Sequence, residues 1–212
     1  MSPLSFSVVD ARPEPHAAVP TLMLRLRIDA ASPEPVHAVA LRCQIMIEPQ
    51  RRRYEPSEQE RLTELFGETP RWGDTLRPFL WANVGMTIPG FTVGTDVDLP
   101  ITCTYDMDVA AVKYFHALRH GEIPLVLLFS GTAFSRGEAG LSAQPIAWHE
   151  EAMFRLPVAT WRAVIDMYFP NSGWLRLHEE TLDALRRFRA DRGLLTWDET
   201  LAVLMKEAGE TP

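Results

Sequence analysis

The sequence predicts an α+β protein: an antiparallel, β-sandwich-like body of about seven strands with inserted helices, followed by a helical C-terminal arm. Three observations lead there. Apolar residues alternate at period two through much of residues 1–157. Helical stretches near 57–79 and 108–120 interrupt that alternation, and from Val158 onward the period becomes that of a helix. The expected division is therefore a body over 1–157 and an arm over 158–212 that ends in a strand–helix–helix hairpin.

The elements follow in order. Leu4, Phe6 and Val8 form a short alternation. Leu22, Leu24, Leu26 and Ile28 then alternate with Met23, Arg25 and Arg27, as a half-buried strand requires. The polar, Pro-rich loop 29–35 separates this strand from Val39, Leu41, Cys43, Ile45 and Ile47, which alternate with Ala40, Arg42, Gln44, Met46 and Glu48. Ser57 and Glu60 have capping-box spacing, and Leu62, Leu65 and Phe66 follow at helical spacing up to Gly67. After an aromatic-rich connection over 70–79, strands resume at Trp81–Ile88 and Val97–Tyr105. A helix is expected over Asp108–His120, a buried strand over Pro124–Phe134 and a further strand over Ile146–Leu156.

Charge limits the partners. A net charge of −7 disfavours generic binding to nucleic acid or anionic membranes. Lysine occurs only at Lys113 and Lys206, so 19 of the 21 basic residues are arginine, a bias that fits GC-rich coding better than phosphate recognition. Residues 1–10 lack the basic-then-apolar order of a secretory signal. The longest apolar run, Ile123–Phe129, is far short of the roughly 20 residues that cross a bilayer. No membrane insertion and a cytoplasmic location are expected.

Candidate chemistry is sparse. Cys43 and Cys103 lie 60 positions apart on the apolar phase of their strands, which reads as core packing. His116 and His120 are four apart in the predicted helix, the spacing with which two imidazoles reach one metal ion, yet no Glu follows the first His as in zinc proteases. They remain the candidate metal ligands. Glu150 falls on the apolar phase of Ile146, Trp148, Ala152, Phe154 and Leu156, so a bulge or edge that admits water is expected there. Ser130 lacks the preceding glycine of a nucleophile elbow. The run Arg51–Arg53 beside Tyr54 reads as a solvated strand end. No motif establishes an enzyme, no catalytic residue is assigned and no cofactor is expected.

The arm carries the sharpest local pattern. Trp174, Leu175, Arg176 and Leu177 form a short alternating strand. A helix over Glu179–Arg192 turns Leu182, Leu185 and Phe188 to one side and stops at Gly193. Thr196 and Glu199 then open a second helix, with Leu201, Leu204 and Met205 on one face. This order, in "WLRLHEETLDALRRFRADRGLLTWDETLAVLM", resembles the ribbon–helix–helix module. The resemblance implies an intertwined dimer, with Leu175 and Leu177 toward the shared core and Trp174 and Arg176 outward, where DNA-bound members read bases. It also implies that Thr196 opens a helix whose N-terminus anchors a phosphate. Two departures count against DNA: Trp174 is not a polar reader, and residues 174–205 hold five Arg against six Asp or Glu. A hairpin used for dimerisation, or packed on the body, is the preferred expectation, and Trp174, Leu175, Arg176 and Leu177 are the expected contact residues.

The chain as a whole resembles an uncharacterised, mainly actinobacterial family, through "PTLMLRLRI", "VALRCQIMIEPQRRRY", "RWGDTLRPFLW", "KYFHALRHGEIPLVLLFSGT" and "YFPNSGWLRL". That resemblance implies genes often placed beside those for nickel–iron hydrogenases, and so an accessory role in hydrogenase assembly. The leading expectation is a non-catalytic accessory or protein-binding module, dimeric, whose partner is a hydrogenase or maturation component. The alternative is a DNA-binding regulator that uses the ribbon–helix–helix-like arm.

Overall fold

The alternating segments become eight antiparallel strands in two sheets. The computed structural model describes residues 4–103, 109–137, 140–170 and 177–210, and all structural statements refer to these. The strands are β1 (Leu4–Pro13), β2 (Thr21–Ala30), β3 (Val36–Ile47), β4 (Phe79–Phe91), β5 (Gly94–Thr102), β6 (Glu122–Gly137), β7 (Gly140–Pro145) and β8 (Glu151–Pro157). The helices are α1 (Pro56–Phe66), α2 (Trp72–Thr75), α3 (Val109–Ala117), α4 (Val158–Tyr168), α5 (Glu179–Asp191) and α6 (Trp197–Glu207).

One sheet has the order β1-β2-β5, and the other β4-β3-β6-β7 with β8 also paired to β6. Period-two patterning sets their buried faces. Leu22, Leu24, Leu26 and Ile28 of β2 and Val39, Leu41, Cys43, Ile45 and Ile47 of β3 are all buried in one hydrophobic core. The rings of Phe6 on β1 and Phe129 on β6 stack at 4.2 Å, a direct contact between the two sheets.

The expected strand over Ile146–Leu156 is instead two strands. β7 and β8 pair in succession with the 16-residue β6, and between them Glu150 N–H donates to Ala147 O at 3.1 Å in a turn. This accounts for the eighth strand and lifts Glu150 off the core-facing alternation.

The first helix starts two residues earlier than Ser57 and Glu60 suggest. Glu55 is the N-cap, Pro56 occupies the first helical position, and Glu58 Oε2 accepts from Glu55 N–H at 3.2 Å. Proline suits that position because its fixed φ is already helical and its missing donor would be unpaired there anyway. Aromatic rings then tie α1, α2, α3 and β4 together: Tyr54–Trp72 at 5.3 Å, Phe66–Tyr114 at 6.1 Å, Phe79–Tyr114 at 5.6 Å and Trp81–Phe115 at 4.9 Å.

The chain divides into two compact units, residues 1–172 and 173–212. Helix α4 belongs to the first, where Val158, Trp161 and Val164 join the core. The sequence period alone groups α4 with the arm because it registers a change of element and not what the element packs on. The second unit holds α5 and α6. Gly193, at φ 62°, makes the turn after α5, and Leu194 N–H donates to Arg189 O at 3.0 Å. Thr196 and Glu199 form the expected capping box: Oγ1 accepts from Glu199 N–H at 3.1 Å, and Oε2 accepts from Thr196 N–H at 3.2 Å.

Candidate functional site

The two sheets finish their outer faces differently, and that difference locates the candidate site. On the three-stranded sheet six outward side chains, Arg12, Arg25, Arg27, Asp29, Asp96 and Asp98, are charged and paired with one another, with Met23 and Pro100 in the row beside them. Arg12 forks onto Asp98 at 3.0 and 2.7 Å, Arg25 reaches the same carboxylate at 3.9 Å, and Arg27 pairs with Asp29 and Asp96 at 2.8 and 3.5 Å. The Arg12 guanidinium in turn holds the Asp98 carboxyl below its ordinary range. Such a surface is already satisfied.

The five-stranded sheet presents another surface. The register places Leu80, Met46, Val126 and Met153 side by side across β4, β3, β6 and β8. All four take the phase opposite to the buried residues. Met153 is 64% exposed and Leu80 37%, while Met46 and Val126 are half-buried. One row on, Leu128 is half-buried between Gln44 and Glu151, and Trp148, in the turn between β7 and β8, is 92% exposed. Arg51 Nη1 lies 2.8 Å from Met153 Sδ at the border of this row. Farther along the same face, the register sets Arg42 between Gly85 and Ser130, and Ala40 between Thr87 and Thr132. Small residues at these positions leave a shallow trough of about 690 Å³.

A second polar cluster is buried. Arg52 Nη2 donates to both carboxylate oxygens of Glu58 at 3.0 and 2.9 Å, and Glu58 also accepts from Arg119 N–H at 2.8 Å. Tyr54 Oη lies 2.7 Å from Pro49 O, to which it donates, and 2.8 Å from Tyr114 Oη. Burial pushes both phenols well above their ordinary value, Tyr114 to about 12, so they stay protonated at neutral pH. Every charge here has a partner, which suits a fixed tie and not a proton-transfer group. The run Arg51–Arg53 predicts a solvated Arg52; the structure buries its side chain to 9% exposure. The only local signal is Glu58, at the third position of a Pro-started helix, where a carboxylate turns back toward the chain.

The predicted site residues are dispersed. His116 sits in the last turn of α3 with its ring 5.1 Å from Trp161, and burial, aided by the Arg162 charge, lowers its pKa. α3 stops at Ala117, so His120 lies beyond the helix, and its carbonyl accepts from Arg52 at 3.3 Å. The helical four-residue spacing thus does not hold for this pair. Among the described residues no three His, Cys, Asp or Glu side chains are grouped as a metal site. Cys43 and Cys103 are buried in the core, as read. Leu177 is half-buried; Trp174, Leu175 and Arg176 lie outside the described residues. At Thr196, Glu199 accepts the N–H groups of Leu195 and Thr196 at 2.9 and 3.2 Å, so a carboxylate of the chain itself takes the two backbone donors that immediately precede α6, next to where the ribbon–helix–helix likeness puts a phosphate.

The family model that matches this chain runs from residue 1 to residue 212. The chain belongs to DUF6084, a family of unknown function. No curated protein matches it. Among solved structures, β-glucosidase from Kluyveromyces marxianus aligns at 5% identity and TM-score 0.28, over 73% of this chain and 15% of the enzyme. The putative ApaA protein from Bordetella pertussis aligns at 18% identity and TM-score 0.23, over 72% of this chain and 91% of that one. Likenesses this low carry no argument about this DUF6084 chain. No helix among its described residues is long and apolar enough to cross a membrane.

Proposed function

We propose that this DUF6084 chain is a non-catalytic accessory protein whose sandwich-like body binds another protein on the outer face of its five-stranded sheet. The observation that carries the reading is the cross-strand row Leu80–Met46–Val126–Met153. Outward sheet positions are ordinarily polar, as Arg25, Arg27, Asp96 and Asp98 are on the β1-β2-β5 sheet of this same chain, and contiguous exposed apolar surface marks partner sites. Methionine suits such a surface, because an unbranched, polarizable side chain adapts to the partner's contour. Trp148 adds a large amphipathic anchor of the kind that dominates binding energy at interfaces. The resemblance to chains encoded beside nickel–iron hydrogenase genes narrows the partner to a hydrogenase subunit or a maturation component.

The test is co-purification from the native host with the tagged chain and with a Met46→Glu/Met153→Glu variant. The expected result is recovery of a hydrogenase or maturation component by the former and not by the latter, with both variants folded by circular dichroism. Recovery of neither component by the unmodified chain, or equal recovery by both variants, overturns the reading.

A further inference from the structure

We infer that the trough on the outer face of the five-stranded sheet binds a phosphoryl group, with Arg42 as its cation and the hydroxyls of Thr87, Ser130 and Thr132 as flanking donors. The inference is separate from the protein-docking reading, which rests on the apolar row at the other end of the same face.

Four groups converge by register. Arg42 lies on β3, the interior strand; Ser130 pairs with it from β6, and Thr87 and Thr132 flank the next outward position, Ala40, from the two sides. Gly85, across from Arg42 on β4, and Ala40 raise no side chain that fills the space between them, which is why the face is hollow here at about 690 Å³. None of the residues that line the trough is acidic. Among the described residues, the Arg42 guanidinium has no ion pair and the three hydroxyls have no hydrogen-bond partner. That contrasts with Arg12, Arg25 and Arg27 on the other sheet, each held by an aspartate.

The set is donor-rich on three strands and lacks a countercharge, so its ligand is an oxyanion. A guanidinium takes two oxygens of a phosphoryl group as a fork, and hydroxyls arriving from both sides take the remainder. A phosphoryl dianion offers this donor set three terminal oxygens and two charges, where a carboxylate offers two oxygens and one charge. In a chain of net charge −7, attraction of a dianion must come from this local cation and not from a general basic field. Inorganic phosphate and the phosphate of a small phosphorylated metabolite share this chemistry.

The experiment is a ¹⁵N–¹H NMR titration of the full chain with inorganic phosphate, phenyl phosphate and acetate. Saturable shifts are expected at residues 40–42, 85–87 and 130–132 with the two phosphates and not with acetate. Arg42→Gln is expected to weaken binding about tenfold or more, the loss of one charge-assisted pair, while Arg77→Gln, at a solvent-facing loop, leaves it unchanged. Arg42 is exposed, so its replacement leaves the core intact. Tighter binding of phenyl phosphate assigns the site to a phosphorylated metabolite, and tighter binding of inorganic phosphate assigns it to the free ion. Absence of saturable shifts, equal shifts with acetate, or an Arg42→Gln variant that binds unchanged overturns the inference.

Discussion

Arg52 and Glu58 form a buried ion pair whose side chains are 9% and 1% exposed, with Nη2 lying 3.0 and 2.9 Å from the two carboxylate oxygens. Arg52 also donates to the carbonyls of His120 and Glu122 at 3.3 Å, and Glu58 accepts from Arg119 N–H. The pair therefore ties the start of α1 to the turn that leads into β6. Removing one partner leaves the other charge buried without compensation.

Arg52→Ala is accordingly expected to cost about 3–5 kcal/mol of stability, read by urea denaturation at neutral pH. Burial pushes the Glu58 carboxyl upward, but the N–H donors of Arg119 and Glu55, together with the Arg52 charge, hold it below the ordinary glutamate value. The unfolded chain thus takes up this proton more readily than the folded one. The contribution is present above the unfolded value of about 4.3 and is lost as pH falls through the lower folded value. Glu58→Gln is expected to remove this part of the acid sensitivity while lowering stability at pH 7. An unchanged slope of stability against pH below pH 5 in that variant contradicts the assignment.

The sheets were legible because alternation reports which phase is buried: β2 and β3 emerge with every expected apolar position inside. What alternation does not carry is register between strands. Met46 reads as a single off-phase residue and Val126 as one member of a buried strand, and only the pairing of β3 with β4 and β6 aligns them with Leu80 in one row. The burial of Arg52 is hidden for a related reason. Three consecutive arginines look solvated in one dimension, and the burial of the middle one depends on Glu58 and on the carbonyls near β6, 68 and 70 positions away. At α1, Ser57 and Glu60 matched a capping box, but Pro56 set the start of the helix and moved the reciprocal contact to Glu55 and Glu58.

Gly131 supports a second prediction. Its φ is +133°, a conformation that side-chain-bearing residues rarely adopt, and a Cβ there would fall 2.0 Å from the carbonyl oxygen of Ala40. β6 can approach β3 this closely only with a hydrogen at that position. Gly131→Ala is expected to lower stability by at least about 2–3 kcal/mol, from backbone strain and a shifted strand. Thermal denaturation with a midpoint equal to that of the unmodified chain argues against this geometry.

The two thiols give a third. Burial pushes Cys43 and Cys103 up to about 12, so neither forms appreciable thiolate at pH 8. Iodoacetamide is expected to leave both unmodified in the native chain and to label both in denaturant, as intact-mass spectrometry resolves. Rapid native labelling of either would place that sulfur at the surface.

The arm supports a fourth prediction, that the protein is a homodimer whose contact includes residues 175–205. Among the described residues of the second unit, no apolar side chain is fully buried, and the one buried residue is Thr200. Helices of 13 and 11 residues are marginal without a surface to pack on. On α6, Trp197, Leu201 and Met205 recur every fourth residue and are 37%, 37% and 40% exposed, with Leu195 at 85% just before the helix. In the expected dimer a second copy covers this stripe, and each enclosed leucine contributes roughly 1.5–3 kcal/mol. Leu201→Asp/Met205→Asp puts two charges on the apolar stripe that the dimer is expected to bury. The double variant is expected to be monomeric by light scattering at micromolar concentration, with the strand signal of the body retained in circular dichroism. A monomer for the unmodified chain under the same conditions rules the dimer out. A double variant that stays dimeric moves the contact away from α6 and leaves Leu175 and Leu177 as the next positions to change to Asp.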